Sequence, residues 1–203
     1  MGSFRVDTPR GPAEVEIADP VAVPVSLLVL GHGAGGGVRA PDLVRVRDTA
    51  LGCGVRVALV TQPYRVAGRR APAPAANLDE AWTAVVRAIA EPGMPLIVGG
   101  RSSGARVACR TAGALGAAGV LALAFPLHPP GRPDRTRAGE LPEDIPTLVI
   151  NGDRDPFGVP DPVAEVEVEV VPGATHDLRK SLPTTADAVS RWLLNHGWAH
   201  PTV

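Results

Sequence analysis

The sequence predicts an α/β protein whose mainly parallel sheet is covered by helices on both faces. Continuous apolar runs, such as VSLLVL at 25–30 and PLIVGG at 95–100, are typical of strands buried on both sides. Segments with apolar residues at helical spacing lie between such runs. This alternation indicates a parallel sheet, and 203 residues suit a single domain spanning 1–203.

Seven segments are predicted to be strands. The first, AEVEIA, alternates and is typical of an edge strand, and the last, AEVEVEVV, alternates valine with glutamate. That second pattern suits a half-exposed edge and not the centre of a parallel sheet. The predicted strands are residues 13–18, 25–30, 55–60, 95–100, 119–125, 147–151 and 164–171.

Four helices are predicted between or after these strands. The first begins near Pro41, the second has Asn77 and Glu80 as a capping box, and the last has Thr184 and Asp187 as its capping signal. Their apolar faces carry Leu43, Val46 and Ala50; Leu78, Ala81, Trp82, Val85 and Ile89; Ala105, Ala108, Ala112 and Leu115; and Val189, Trp192 and Leu193.

The overall composition excludes several classes of protein. A net charge of −1 without a basic block argues against nucleic acid as a partner. The longest apolar stretches, near 21–30 and 117–127, are far short of the roughly 20 residues that span a bilayer. Cys53 and Cys109 lack metal-site spacing and are expected to be buried thiols. We therefore expect a cytoplasmic protein, with no membrane partner and an oligomeric state that the sequence leaves open.

In parallel α/β sheets, ligands bind beyond the carboxyl ends of the strands. After the strand ending at Gly100 comes GRSSG, which has the G-x-S-x-G pattern with Ser102 at its centre. This pattern is the nucleophile elbow, a serine on a sharp turn between strand and helix. Taken alone it fits a helix N-cap equally well, but the predicted strand before it and helix after it favour a nucleophile.

Two further loops at the same edge supply the partners that a serine nucleophile needs. GDRDPFG contains Asp155, and PGATHDLR contains His176. The chain order Ser, Asp, His is that of the α/β-hydrolase fold. Asp153 competes with Asp155, but Pro156 forces Asp155 out of helical conformation, so we expect Asp155 to orient the base.

The other histidines are weaker candidates for the base. His196 is predicted on the last helix and His200 in the tail, where packing or solvated roles are expected. His128 lies in a loop at the right edge of the sheet, where it could contact substrate or serve a structural role.

The segments LVLGHGAGG, VGGRSSGARVA, FPLHPPG, TLVINGDRDPFG and GATHDL together resemble the α/β-hydrolase superfamily. The similarity runs from about residue 14 to 198 and is greatest to small, capless bacterial members related to dienelactone hydrolase. The resemblance implies a serine hydrolase with Ser102 as nucleophile, His176 as base and Asp155 as orienting acid. Dienelactone hydrolase itself has a cysteine nucleophile, so its substrate is not carried over.

The expected reaction is cleavage of a carboxylic ester or related acyl bond through an acyl-enzyme, on a small-molecule acyl substrate. It requires neither a metal nor a cofactor. The backbone N–H of Ser103 is expected in the oxyanion hole, and the resemblance implies Ala34 as the second donor. Only residues 126–146 separate two predicted strands, which predicts an open cleft without a cap domain.

Five residues are predicted as possible substrate contacts. Arginines in the loop 62–76 or beside the nucleophile would offer donors to an acidic group, although they could instead pin the loop through carbonyl groups or lie in solvent. The candidates are Tyr64, Arg65, Arg101, His128 and Phe157.

Two alternatives belong to other classes. GHGAGG also matches G-x-G-x-x-G, the dinucleotide fingerprint, but the next strand ends VALVTQPY without the acidic residue that binds ribose. A phosphate-binding P-loop is excluded because no Lys-Ser or Lys-Thr pair follows the glycines, and the only lysine in the chain is Lys180. A non-catalytic binding or scaffold protein on the same fold is the second alternative. It stays open because the group is also similar to a eukaryotic chromatin-complex subunit.

Overall fold

A computed structural model describes residues 2–200. The described residues form eight strands and five α-helices. The strands are β1 (Gly2–Thr8), β2 (Gly11–Ala18), β3 (Ser26–Gly31), β4 (Val55–Thr61), β5 (Leu96–Arg101), β6 (Gly119–Leu123), β7 (Thr147–Gly152) and β8 (Val166–Val171). The helices are α1 (Pro41–Gly52), α2 (Pro63–Val66), α3 (Ala75–Ile89), α4 (Ser103–Leu115) and α5 (Leu182–Asn195).

All eight strands belong to one sheet, in the order β1-β2-β4-β3-β5-β6-β7-β8. The six strands from β4 to β8 in this order run parallel to one another. Strands β1 and β2 form an antiparallel hairpin, and β2 pairs antiparallel with β4. This mostly parallel sheet confirms the predicted α/β-hydrolase fold.

Helices cover both faces of the sheet because each parallel connection crosses over one face. On one face, α3 and α4 bury residues such as Trp82 and Ala108 in the same core cluster as Val98 of β5. On the other face, α1 and α5 bury residues such as Leu43 and Trp192. The apolar faces predicted from the sequence therefore point into the core.

The structure corrects several element predictions. Strand β1 is an eighth strand that the sequence analysis did not predict, and its pairing makes β2 an inner strand instead of an edge strand. The short helix α2 lies within the segment predicted as the loop 62–76. The prediction that 164–171 contains an edge strand is confirmed, because β8 ends the sheet.

Both predicted capping signals are wrong. Helix α3 begins at Ala75 after Pro74, and Glu80 binds Arg10 instead of capping. Helix α5 begins at Leu182, two residues before the predicted Thr184. In both helices a proline sits at or just before the first turn, where its fixed φ angle favours helix entry without a side-chain cap.

The connection between β6 and β7 contains no cap domain. Within residues 124–146 the only helical element is one 3₁₀ turn, Ala138–Glu140. Glu140 accepts two hydrogen bonds from Arg106 and one from Arg110, so the turn is pinned to α4. The carboxyl edge of the sheet is left open, as predicted.

Cys53 and Cys109 are both buried and unpaired, in agreement with the sequence prediction. Burial raises the pKa of the Cys109 thiol to about 12. Among residues 2–200, no helix combines the length and the apolar character needed to cross a membrane.

Candidate active site

Ser102 occupies a sharp turn between β5 and α4. Its φ of 53° and ψ of −110° lie in a region that side chains rarely adopt. The strained conformation is held by the elements on either side, and the Ser102 N–H donates to the carbonyl of Leu123 on the neighbouring strand. The turn lifts the hydroxyl above the carboxyl edge of the sheet, as a nucleophile elbow requires.

Both positions flanking the elbow in GRSSG require glycine, because the backbone there lies very close to the backbone at the end of β3. A Cβ on Gly104 would lie 2.5 Å from the carbonyl oxygen of Gly31, and a Cβ on Gly100 would lie 2.5 Å from the same oxygen. Real Cβ atoms do not approach backbone oxygens this closely. The first turn of α4 therefore rests directly on the end of β3, and this contact brings the loop after β3 beside Ser102.

Three side chains from separate loops form a continuous hydrogen-bonded chain. The Nε2 atom of His176 lies 2.9 Å from Ser102 Oγ, and its Nδ1 atom lies 2.8 Å from Asp155 Oδ2. The Asp155 side chain is fully buried and that of His176 is 20% exposed. With a neutral imidazole, Nδ1–H donates to the carboxylate and Nε2 accepts from the serine hydroxyl, which is the arrangement that removes a proton from serine.

The two aspartates of GDRDPFG have different partners. Asp155 Oδ1 accepts the N–H of Phe157 at 2.9 Å, so both carboxylate oxygens of Asp155 are hydrogen-bonded. Asp153 Oδ1 instead accepts the N–H of Gly173 at 2.7 Å. Of the two, the structure places Asp155 on the histidine, and Asp153 joins two loops.

The glycine-rich loop after β3 lies against the nucleophile. Gly36 N–H donates to the carbonyl of Gly33, which closes a turn with Ala34 at its second position. A Cβ on Gly33 would be 3.6 Å from the Cβ of Ser102. The loop predicted to stabilise either a phosphate or an oxyanion is thus packed beside a serine that has a base within reach.

The sequence of residues 24–192 matches the family model of an alpha/beta hydrolase domain. That match covers most of the chain and agrees with the sheet order and the Ser102 turn. The chain belongs to the α/β-hydrolase family. A comparison with curated proteins found no match.

Solved structures of α/β hydrolases have the same fold. An α/β serine hydrolase without lid from Xanthomonas campestris is 23% identical, with a TM-score of 0.77, and the match covers 100% of this chain and 96% of that one. A serine hydrolase homologue from Coxiella burnetii is 20% identical, with a TM-score of 0.77 and coverage of 94% and 96%. An esterase from Pyrobaculum calidifontis is 16% identical, with a TM-score of 0.69 and coverage of 96% and 83%.

The hydrolase holds the glycine-rich loop through His32, a buried residue that sequence reasoning did not assign. His32 Nδ1 lies 2.9 Å from the Gly33 carbonyl, and its Nε2 accepts the N–H of Gln62 at 3.1 Å. One partner accepts and the other donates, so the neutral tautomer with a proton on Nδ1 is required. Burial lowers the pKa of His32, and the nearby Arg65 charge lowers it further.

Two of the residues predicted to contact substrate instead form hydrogen bonds to loop backbone in the hydrolase. Tyr64 is buried and its hydroxyl donates to the Ala34 carbonyl at 2.8 Å. Arg65 donates to the carbonyl of Arg69 at 3.3 Å, which fits the alternative that the arginines pin their own loop.

The other three candidates lie around Asp155 and His176. Phe157 packs against the His176 imidazole with ring centroids 4.4 Å apart and the ring planes tilted by 43°. The His128 N–H donates to the Phe157 carbonyl, so His128 packs on the Asp155 loop. Arg101 donates to Asp42 and to the carbonyl of His176.

Two further supporting residues, besides His32, were not predicted from the sequence. Asn151 is buried at the end of β7, where its amide exchanges hydrogen bonds with the backbone of Phe125 and donates to Gly158. Asp42 is fully buried in the first turn of α1. The sequence signal for Asn151 was a polar residue at the end of an otherwise apolar strand. The sequence signal for Asp42 was a carboxylate next to the proline that begins a helix.

A cavity of about 350 Å³ lies beside this group, between the loop after β3 and the loop that carries His176. Its lining includes Gly36, Arg39, Asp42, Arg101, Asp177 and Arg179. Arg39 also pairs with Glu16 and Arg179 with Asp177, so the guanidinium groups at its wall have carboxylate partners.

Proposed function

We propose that this protein is a serine esterase that cleaves carboxylic esters of small molecules through an acyl-enzyme intermediate. The observation that carries the proposal is the hydrogen-bonded chain from Ser102 Oγ through His176 to the buried Asp155. The strained serine, the open edge of the sheet and the resemblance to capless dienelactone hydrolase-like proteins support it. The Pyrobaculum protein described as an esterase supports the choice of ester bonds.

Acylation begins when His176 Nε2 takes the proton of Ser102 and the oxygen attacks the substrate carbonyl carbon. Asp155 keeps the imidazole in the correct tautomer and stabilises its positive charge. The imidazolium then protonates the leaving alcohol, and the acyl group remains on Ser102. In the second half, His176 takes a proton from water, and the resulting hydroxide attacks the acyl-enzyme carbonyl carbon. The imidazolium then returns this proton to Ser102 Oγ as the acid is released.

The negative oxygen of each tetrahedral intermediate needs preorganised N–H donors, each worth ~10²–10³ in rate. Ser103 begins α4, and the first N–H groups of a helix have no acceptor within the helix. The N–H of Ser103 is therefore the first proposed donor to the negative oxygen. The second is the N–H of Ala34, because the turn that contains it lies beside Ser102 and is held by Tyr64.

The test compares the wild-type protein with Ser102→Ala in p-nitrophenyl acetate turnover and in labelling by a fluorophosphonate. We expect loss of labelling and a fall in kcat of at least about 10⁴-fold in the variant. Ser190→Ala, which removes a hydroxyl that contacts Cys53 at the C-terminal end of α1, is the matched control and should keep both signals.

Two results would contradict the proposal. Turnover and labelling that survive in Ser102→Ala would remove Ser102 from the reaction. A folded wild-type protein that shows neither would favour the binding-protein alternative. A panel of p-nitrophenyl acetate, butyrate and octanoate, together with the matching thioesters, then identifies the preferred acyl group and bond.

A further inference from the structure

Arg101 directly precedes the nucleophile, and its guanidinium donates hydrogen bonds to two other segments of the chain. Its Nε donates to Asp42 Oδ2 at 2.7 Å, and its Nη2 donates to the backbone carbonyl of His176 at 3.1 Å. The Arg101 side chain is 18% exposed and the Asp42 side chain is 0% exposed. One side chain therefore joins the elbow to the loop that carries the base.

Asp42 is a rigid anchor for this contact. It lies in the first turn of α1, where its Oδ1 accepts the N–H of Leu43 at 2.9 Å while its Oδ2 binds Arg101. Burial raises the pKa of the Asp42 carboxyl, and the Arg101 charge opposes that rise. The helix is fixed in turn by Leu43 and Val46, which are fully buried in the core.

The same guanidinium also contacts the glycine-rich loop. A Cβ on Gly33 would lie 3.1 Å from Arg101 Nη1, so the loop packs directly on the arginine. Arg101 thus lies between the three backbone segments whose relative positions set the site: the loop of Gly33, the elbow of Ser102 and the loop of His176.

We propose that Arg101, anchored by Asp42, is a positioning residue that holds the His176 backbone so that Nε2 stays within reach of Ser102 Oγ. The proposal rests on the esterase function proposed above. It assigns Arg101 to the alignment of the base instead of to the contact with substrate that the sequence suggested.

A buried ion pair between Arg101 and Asp42 fits a role in positioning His176 better than a role in stabilising the fold. Replacing a buried ion pair by apolar residues of similar size is often neutral or stabilising, because both charges must be removed from water. A planar guanidinium, however, offers several donors in a fixed fork, so it can hold a carboxylate and a carbonyl at once. An error of 1 Å in the position of a catalytic group costs on the order of 10²-fold in rate.

We call the contacts of Arg101 with Asp42 and with the His176 carbonyl the clamp. The test removes this clamp without leaving a buried charge. The double variant Asp42→Leu/Arg101→Met replaces the pair by apolar residues. The matched control is Asp79→Leu/Arg110→Met, which removes another arginine–carboxylate pair, at 2.6 Å, that joins α3 to α4. It also removes the Arg110 contact to Glu140, which keeps its two hydrogen bonds from Arg106. Thermal unfolding, kcat and KM for p-nitrophenyl acetate are measured for both variants and the wild-type protein.

A second variant covers the case in which the double variant does not fold. Arg101→Lys keeps a positive charge beside Asp42, but a single ammonium group does not reproduce the fork that spans Asp42 and the His176 carbonyl. We expect kcat to fall about 10²-fold in the double variant and at least tenfold in Arg101→Lys. KM should change less than about twofold, because the proposal assigns Arg101 to the position of His176 and not to a contact with substrate. The control should keep the wild-type kcat. A folded Arg101 variant that keeps kcat within twofold of the control overturns the proposal.

Failure of the esterase function is distinguished from failure of the clamp by a readout that needs no substrate. If the wild-type protein neither turns over esters nor reacts with fluorophosphonate, the esterase proposal fails. The variants are then compared by the NMR proton resonance of the His176 Nδ1–Asp155 hydrogen bond. Loss or displacement of this resonance in the Arg101 variants, with no change in the control, supports the clamp, and an unchanged resonance overturns it.

Discussion

Phe157 contacts both partners of the proposed nucleophile. Its ring packs on the His176 imidazole with centroids 4.4 Å apart, and its N–H donates to Asp155 Oδ1 at 2.9 Å. The backbone contact restrains the carboxylate and the ring restrains the imidazole. Because Phe157 lies two residues after Asp155, the short segment DPF fixes two members of the site at once.

Phe157→Ala should lower kcat by up to about tenfold. The substitution removes a ring contact worth about 0.5–1.5 kcal/mol but leaves the backbone N–H that binds Asp155. Steady-state turnover of p-nitrophenyl acetate measures the change. Phe4→Ala, which removes a partly exposed ring from β1, is the control. Equal rates in Phe157→Ala and the control would show that the ring does not hold His176.

Asp155→Asn should lower kcat by about 10⁴-fold, because an amide in place of the carboxylate favours the wrong tautomer of His176. Asp153→Asn is a close control, since Asp153 contacts Gly173 and not the histidine. We expect Asp153→Asn to keep most of the wild-type kcat. A larger loss in Asp153→Asn than in Asp155→Asn would reverse the assignment of the acid.

Gly104→Ala should destabilise the fold by at least about 2 kcal/mol, because its Cβ would meet the backbone of Gly31 and His32. In Gly113→Ala on the same helix, the new Cβ would meet no atom within 4 Å beyond the adjacent backbone of the helix itself. This substitution should stabilise the protein by about 0.5–1 kcal/mol through the higher helix propensity of alanine. Urea unfolding of the two variants measures both effects, and a neutral Gly104→Ala would mean that α4 does not rest on β3 as described.

The buried His32 should make stability depend on pH below neutrality. Burial lowers its folded pKa from the ordinary value of 6.5, so below about that pH the unfolded state binds a proton that the folded state does not. The contribution of neutral His32 is fully present above pH 6.5 and is lost as pH falls toward the folded pKa. His32→Gln should show a smaller fall in melting temperature between pH 7 and pH 5 than the wild-type protein. Parallel curves would indicate that His32 is not protonated on unfolding.

Much of the fold was predictable because its signals are local in the chain. Seven of the eight strands are marked in the sequence by apolar runs or regular alternation. GRSSG marks the elbow through glycines that leave no room for a Cβ. Strand β1 was missed because Phe4 and Val6 are its only large apolar residues, Phe4 is exposed and Val6 is only partly buried, so the sequence carries no apolar run there. The helix caps were misplaced because prolines start α3 and α5 without side-chain hydrogen bonds.

The sequence by itself determined the architecture of this protein and the order in which Ser102, Asp155 and His176 follow their strands, since parallel strands bring their carboxyl ends to one edge. Only the tertiary structure decided what Arg101 contacts, because Asp42 and the His176 carbonyl lie 59 and 75 residues away along the chain. The direction of a long side chain depends on the partners that folding brings within reach, and no local pattern encodes them. For the same reason, the support of the site by Asp42, Asn151 and His32 became visible only in three dimensions.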